Sequence, residues 1–331
     1  MKIGIVFSGY SSQFIGMGKD LYDDYRIVQE FFEEAYNCSG INFVKLCFAD
    51  SEEELAKIDN AYLSIFLINA ALWQFFKEKN LKPDLIAGHG IGFYSAVFAS
   101  QGFTFPDGLY LLKKLSGFIQ EATQNSSLAA LKVEGITSGK LKKIMGTISD
   151  DLVISVYNGP NEFIVSGKNS SIVELKNNLK EMNIKVQDIS FILGLYPELM
   201  KTVIEQFKVY LEKVDFKDLQ TPVINFVDGK ELTSGKQVKK NIIQQIDLSL
   251  RWDKVLDKFE SMDIIIEIGP RENLSDLIRQ RYPSKSVLSF SKKADLEKIN
   301  EILLNIDKEQ NGIESRDSIQ NSQDCSGTTQ P

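Results

Sequence analysis

The sequence predicts a mixed α/β fold with a smaller βαββαβ unit inserted into it. Three observations predict it. Short β-rich runs alternate with helix-period segments over most of the chain, the pattern of a largely parallel sheet. Two of those runs end in glycine-bearing turns, Ser8-Gly9 and Gly88-His89-Gly90-Ile91-Gly92. Between residues 127 and 191 the rhythm becomes strand, helix, hairpin, helix, strand, which is ferredoxin-like. The expected division is a large subdomain over 1–126 and 192–307, a small subdomain over 127–191, and a tail over 308–331. A length of 331 residues suits about two domains.

The first strand is Lys2 to Phe7, followed by a polar turn, Gly16-Met17-Gly18 and a helix from Tyr25 to Tyr36. Ser51 before Glu52 to Glu54 reads as a helix N-cap. In Ala61 to Phe76, Tyr62, Phe66, Asn69, Trp73 and Phe76 recur at helical spacing. Ser64, Asn69 and Gln74 make this a buried helix and not a membrane span, which needs about 20 nearly uninterrupted apolar residues. The strand Leu85 to Ala87 enters the glycine-rich turn, and helices follow over Phe93 to Gln101 and Phe105 to Thr123.

The insertion reads as strand Leu128 to Val133, helix Ser138 to Ile148, hairpin Leu152 to Asn158 with Glu162 to Ser166, helix Ile172 to Met182 and strand Lys185 to Ile189. Beyond it come helix Leu199 to Val214, strand Pro222 to Val227 and helix Val238 to Asp247. Strand Met262 to Ile268 ends at Gly269-Pro270. A helix through Arg281, strand Val287 to Phe290 and helix Asp295 to Asp307 complete the pattern. From Lys308 the chain is Ser/Asn/Gln/Gly-rich with almost no large apolar residue, too little to drive ordering.

The charge balance, 38 basic against 45 acidic residues, opposes nucleic-acid binding and gives no polybasic signal for a membrane. His89 is the sole histidine, so any site needing two fails, including HExxH zinc centres. No carboxylate or Cys/His cluster has metal-ligand spacing, and no cofactor is expected. Three widely spaced cysteines, Cys38, Cys47 and Cys325, suggest a reducing compartment, and without a secretory signal a cytoplasmic location is expected. Cys38 and Cys47 are expected in the core.

A strand, Gly-His-X-Ile-Gly and a helix have the form of a nucleophile elbow, with a serine expected at the third position. That residue is Gly90, which carries no side chain to acylate. The five residues alone also fit a plain glycine-rich strand-to-helix turn. His89 points away if Gly90 faces a cleft, which suits a structural or oxyanion-side donor better than a base. Ser8, Ser11 and Ser12 read as turn residues, and Ser95 as a helix-interior serine.

Read together, these segments resemble the malonyl-CoA:acyl-carrier-protein transacylases and the acyltransferase domains of polyketide assembly, from Lys2 to about Asp307. Phe7-Ser8-Gly9-Tyr10-Ser11-Ser12-Gln13 is similar to the family's Phe-Pro-Gly-Gln-Gly-x-Gln loop, and Gly88 to Phe93 resembles Gly-His-Ser-x-Gly-Glu. Asn158-Gly159-Pro160, Ser166-Gly167, Leu199-Met200, Asn225, Arg251-Trp252 and Glu267-Ile268-Gly269-Pro270 match later signatures in order. The resemblance implies an α/β-hydrolase-like large subdomain carrying the ferredoxin-like one. It also implies, as partner, an acyl carrier protein or a polyketide or fatty-acid synthase component, with acyl-CoA as a further ligand.

The positions that carry the family's chemistry differ. The nucleophile position is Gly90 and the base position, three residues before Leu199-Met200, is Tyr196. Ser116-Gly117 stands where the family has the Arg-Gly pair that binds the malonyl carboxylate. Tyr10 and Tyr62 replace glutamines and Phe93 the elbow glutamate; with Ile91 and Asn225 they are the expected pocket lining. Scaffold glycines, Pro270 and Trp252 are retained, so the changes fall on the chemistry and not on the fold. The expectation is a family member without normal Ser–His acyl transfer, acting as a binding or partner subunit, with a smaller, more apolar cleft. The alternative is an active acyltransferase or acyl hydrolase using a non-standard site, with water held by an oxyanion hole at Gly90, Ile91 and Tyr10. Lys113, Lys114, Lys140, Lys142 and Lys143 are candidate docking cations for an acidic carrier protein.

Overall fold

The computed structural model describes residues 1–79, 81–124, 126–189 and 197–302. It opens with β1 (Ile3–Phe7) and helices α1 (Lys19–Asp24), α2 (Arg26–Ser39), α3 (Phe43–Phe48), α4 (Glu52–Ala56) and α5 (Ile58–Glu78). Next, β2 (Leu85–Gly88) runs through the turn at Gly90 into α6 (Gly92–Ala99) and α7 (Phe105–Thr123). The inserted unit is β3 (Leu128–Glu134), α8 (Ser138–Ile148), β4 (Val153–Gly159), β5 (Glu162–Lys168), α9 (Asn169–Glu181) and β6 (Lys185–Ile189). After it come α10 (Pro197–Leu211), β7 (Val223–Ile224), β8 (Glu231–Leu232), α11 (Gly235–Asp247), β9 (Leu250–Arg251) and α12 (Trp252–Lys258). The last elements are β10 (Ile264–Ile268), α13 (Asn273–Arg281) and β11 (Ser286–Phe290), and residues 293–302 are helical. The expected end of that helix at Asp307 and the tail 308–331 lie outside the described residues.

Six strands form the large sheet in the order β11-β10-β1-β2-β7-β8, parallel except for the β7–β8 pair. Strand β1 is buried along its whole length because helices cover both faces, and alternation divides its side chains between two cores. Ile3, Ile5 and Phe7 pack with α5, α6 and α7, while Val6 faces Trp252, Phe259 and Ile278. Helix α5 is apolar nearly all round and accordingly lies in the interior. Helix α7 starts where its sequence predicts: Thr104 and Asp107 cap one another's backbone N–H, with Pro106 in the first turn.

The second sheet runs β6-β3-β5-β4-β9. Its first four strands, with α8 and α9 on one face, are the ferredoxin-like unit, and Leu131, Phe163, Val165 and Leu175 lie at its core. β9 comes from outside residues 127–191 and pairs in parallel with Val156 and Tyr157 of β4.

Two expectations are corrected. The strand expected over Pro222 to Val227 stops after Ile224, because Asn225 turns the chain: its Oδ1 accepts from the Val227 N–H at 2.7 Å and its carbonyl from the Gly229 N–H at 2.8 Å. Cys38 is exposed and not in the core. The buried stripe of α2 is Val28, Phe32 and Ala35, and Ser39 rather than Cys38 continues it. Cys47 is buried as expected, and burial pushes its thiol up to about 12.

Candidate active site

The turn between β2 and α6 is built on backbone contact. A Cβ at Gly88 would lie 2.0 Å from the Gly92 carbonyl oxygen, and one at Gly92 would lie 2.5 Å from that of Phe7. A Cβ at Gly9 would fall 1.9 Å from the His89 carbonyl oxygen, so the loop after β1 also touches the turn. The His89 N–H donates to Phe7 O at 2.9 Å, and the Gly92 N–H donates to His89 O at 3.0 Å. Gly90, at the head of the turn, has φ 56°. That left-handed conformation costs an L-residue about 1–2 kcal/mol and glycine almost nothing. The tight left-handed turn is therefore present, and glycine occupies it without strain.

His89 lies beside the turn but serves another place. Its ring sits 5.1 Å from each of the Phe226 and Trp252 rings, and its Nε2 is 3.4 Å from Asn158 Oδ1 in the inserted unit. Burial among these groups lowers its pKa to about 4, against a small opposing effect of Asn158. It is a neutral structural imidazole at physiological pH, joining the two sheets. Glu267 is buried; its oxygens accept the Leu274 and Ser275 N–H groups at 3.0 and 2.7 Å, holding the start of α13.

A cavity of about 30 Å³ opens at Gly90 and Ile91. Its walls are Tyr94 of α6, Leu115 and Ile119 of α7, Met200 of α10, three residues of α11 and Leu250 of β9. The α11 residues are Ile242, Gln245 and Ile246. This is space for roughly one or two waters, in walls that are apolar apart from Tyr94 and Gln245.

The expected site residues divide. Gly90 and Ile91 line the cavity. Tyr10 and Tyr62 meet edge to face with centroids 6.3 Å apart, and the Tyr10 hydroxyl donates to Ala56 O at 3.1 Å. Phe93 and Tyr62 are fully buried in the core beside the turn. Ser116 is buried on α7 and donates back to Lys113 O at 3.1 Å, so its hydroxyl serves its own helix. Asn225 Oδ1, besides holding its turn, accepts from Asn241 Nδ2 at 2.5 Å, and Asn241 Oδ1 accepts from Gln245 Nε2 at 2.7 Å. Asn225 thus reaches the cavity only through Asn241 and Gln245. Tyr196, expected at the base position, lies outside the described residues.

Ser8 and Ser95 are buried around Asn69, whose Nδ2 donates to Ser8 O and Ser95 Oγ at 3.0 Å each, and Ser12 donates to Gly9 O. Among the candidate docking lysines, Lys113 donates to Ser39 O, Lys114 lies over the Tyr210 ring and Lys142 over that of Tyr157. Sequence reasoning missed Tyr94 and Gln245. The available signal was periodicity: Ile242, Gln245 and Ile246 share a helix face, and Tyr94 follows the turn by two residues. Among the described residues no cluster of three or more His, Cys, Asp or Glu is placed to hold a metal.

A largely parallel sheet whose β2 enters a tight glycine turn, with a ferredoxin-like unit set beside it, is an α/β arrangement with a small inserted subdomain. The chain belongs to the acyl transferase domain family, whose model matches residues 5–300. It is 31% identical over 286 residues to a malonyl CoA-acyl carrier protein transacylase of Bacillus subtilis, covering 84% of this chain and 90% of that one. The solved malonyl-CoA:ACP transacylase of Synechocystis superposes with a TM-score of 0.81 at 26% identity, over 90% of this chain and all of that one. A malonyl-transacylase solved in complex with its type II PKS acyl-carrier protein has the same fold, with a TM-score of 0.85 at 24% identity over 89% and 98% of the two chains.

Proposed function

We propose that this chain does not perform Ser–His acyl transfer and serves polyketide or fatty-acid assembly as a binding or partner subunit of an acyl carrier protein or synthase component. One observation carries the reading: the elbow residue is Gly90, in the left-handed conformation and without an atom that can become an acyl ester. The sole histidine supports it, because His89 is engaged with Asn158, Phe226 and Trp252 and is no base for the turn. So does the cavity, which is small and among the described residues is lined by no charged side chain. The partner class follows from the relatives, which are named for acyl carrier protein and in one case solved in complex with it.

The test is intact-mass analysis after incubation with malonyl-CoA and with acetyl-CoA, together with a transfer assay to a carrier protein. An unmodified mass and transfer equal to a no-protein control are expected. A stable acyl adduct, or transfer well above the control, would replace this reading with that of an active acyltransferase or hydrolase using a non-standard site.

A further inference from the structure

A groove of about 610 Å³ lies at the opposite end of β2 and α6 from Gly90. The end of α5, residues 81–83, the end of α6, the start of α7 and residues 215–221 form it. Helix α6 has eight residues, so about 12 Å separates its elbow end from its groove end. Small-molecule sites commonly span about 300–1,000 Å³, and this groove falls within that range.

Its wall is tied down by the backbone. The Lys217 N–H donates to Gly102 O at 2.9 Å and the Gln220 N–H to Ser100 O at 3.0 Å, which fastens residues 215–221 to the end of α6. The Thr221 N–H adds a bond to Ser100 Oγ at 2.9 Å. Helix α6 closes with the Gly102 N–H on Val97 O, and Gln101 takes φ 62°. Glycine adopts that left-handed conformation freely and glutamine does not. A side chain is thus kept here against the preference of its backbone, and it lines the groove.

The lining has three chemical parts. Trp73, Pro83 and half-buried Phe98 are apolar. Lys77, Lys82 and Lys217 are exposed, and none of their ammonium groups pairs with a carboxylate among the described residues. Two carboxylates share the groove, but Asp107 accepts the Thr104 N–H and hydroxyl at the start of α7, which leaves Asp215 to offset three cations. The Gln101 and Gln220 carboxamides each offer a donor and an acceptor, and neither is bonded among the described residues. Excess positive charge suits a phosphate monoester, which carries about −1.5 to −2 near pH 7. A ring face beside free carboxamides suits a nucleobase, through stacking and hydrogen bonds to its edge.

We propose that this groove binds a phosphorylated nucleoside, its phosphate among Lys77, Lys82 and Lys217 and its base against Phe98 beside Gln101. No bond is made or broken there. The site is separate from the elbow and holds whether or not the protein transfers acyl groups.

The test titrates the full chain calorimetrically with adenosine 5′-monophosphate, adenosine and inorganic phosphate. The monophosphate should bind at least about tenfold more tightly than either fragment, because only it engages both the cations and the ring face. Lys82→Ala should weaken it about two- to fivefold, and Lys180→Ala, an exposed lysine of α9 outside the groove, should leave it unchanged. Gln101→Gly is the decisive variant: it relieves the left-handed backbone, so the melting temperature should not fall, yet affinity should drop about two- to tenfold. No binding of the monophosphate at millimolar concentration, or equal affinity for monophosphate and adenosine, would overturn the proposal. So would inorganic phosphate binding as well as the monophosphate, which would leave only a cationic patch. Affinity that survives both Lys82→Ala and Gln101→Gly, or that falls equally in Lys180→Ala, would place the nucleotide elsewhere and overturn it too.

Discussion

His89 gives the protein the pH signature of a half-buried imidazole held neutral by desolvation. Its enclosure against Phe226 and Trp252 lowers its pKa from 6.5 to about 4. Between those values the unfolded chain binds a proton that the folded chain does not. This contribution to stability is therefore complete above pH 6.5 and is lost as the pH falls through 4. At about 1.36 kcal/mol per pH unit, the interval from 6.5 to about 4 corresponds to roughly 3 kcal/mol. Carboxylates titrate in the lower part of the same window, so the measurement needs a reference protein. His89→Phe keeps a ring against Phe226 and Trp252 but cannot be protonated. Urea unfolding of both proteins from pH 7.5 to 4.5 gives the difference of their unfolding free energies at each pH. That difference should move by about 2–3 kcal/mol in favour of the variant as the pH falls. Curves that stay parallel within about 0.5 kcal/mol would refute the account of His89 as a desolvated structural group.

The remaining expectations concern the elbow, a helix start and the thiols. Gly90→Ser should lose about 1–2 kcal/mol of unfolding free energy, because φ 56° is left-handed, and intact mass should show no acylation by malonyl-CoA. Full transfer activity in that variant would mean that Tyr196 and Ser116 do not stand at the base and carboxylate-binding positions. Thr104→Ala removes half of a mutual cap and should lower stability by about 1 kcal/mol in denaturant titrations; an unchanged midpoint would discount the cap. Iodoacetamide should label exposed Cys38 in the native protein and spare buried Cys47, whose thiol burial raises to about 12. Peptide mapping that finds Cys47 labelled as fast as Cys38 would contradict that burial.

Local signals were legible where they were strong. The helix Phe105–Thr123 was readable in its extent, and the structure shows why it starts there: Thr104, Pro106 and Asp107 fix its start within one turn of chain. Helix Ser138–Ile148 and strand Lys185–Ile189 were readable from their periods. The elbow was visible in Gly88 to Gly92, because backbone contacts as short as those at Gly9, Gly88 and Gly92 admit no other residue. What was not legible depends on distant packing. Asn225 looks like strand or pocket until Asn241 is seen to bond to it from α11. Ser116 falls in register with a binding residue, yet its hydroxyl turns back to Lys113. The apolar walls come from α7, α10, α11 and β9, and no local pattern states that these four meet at Gly90.

The two-residue strand β9 has a consequence for the inserted unit. Leu250 and Arg251 pair with Val156 and Tyr157, Ser249 Oγ donates to Ile154 O at 2.8 Å, and the Arg251 guanidinium lies 4.7 Å from the Tyr157 ring centroid. Without them β4 would be an outer strand with a row of open amides and carbonyls, the kind of border along which chains aggregate. The insert is thus not a self-sufficient module that could be excised and moved intact. Its border is sealed by residues synthesised after it, and the same Leu250 also closes the space at Gly90.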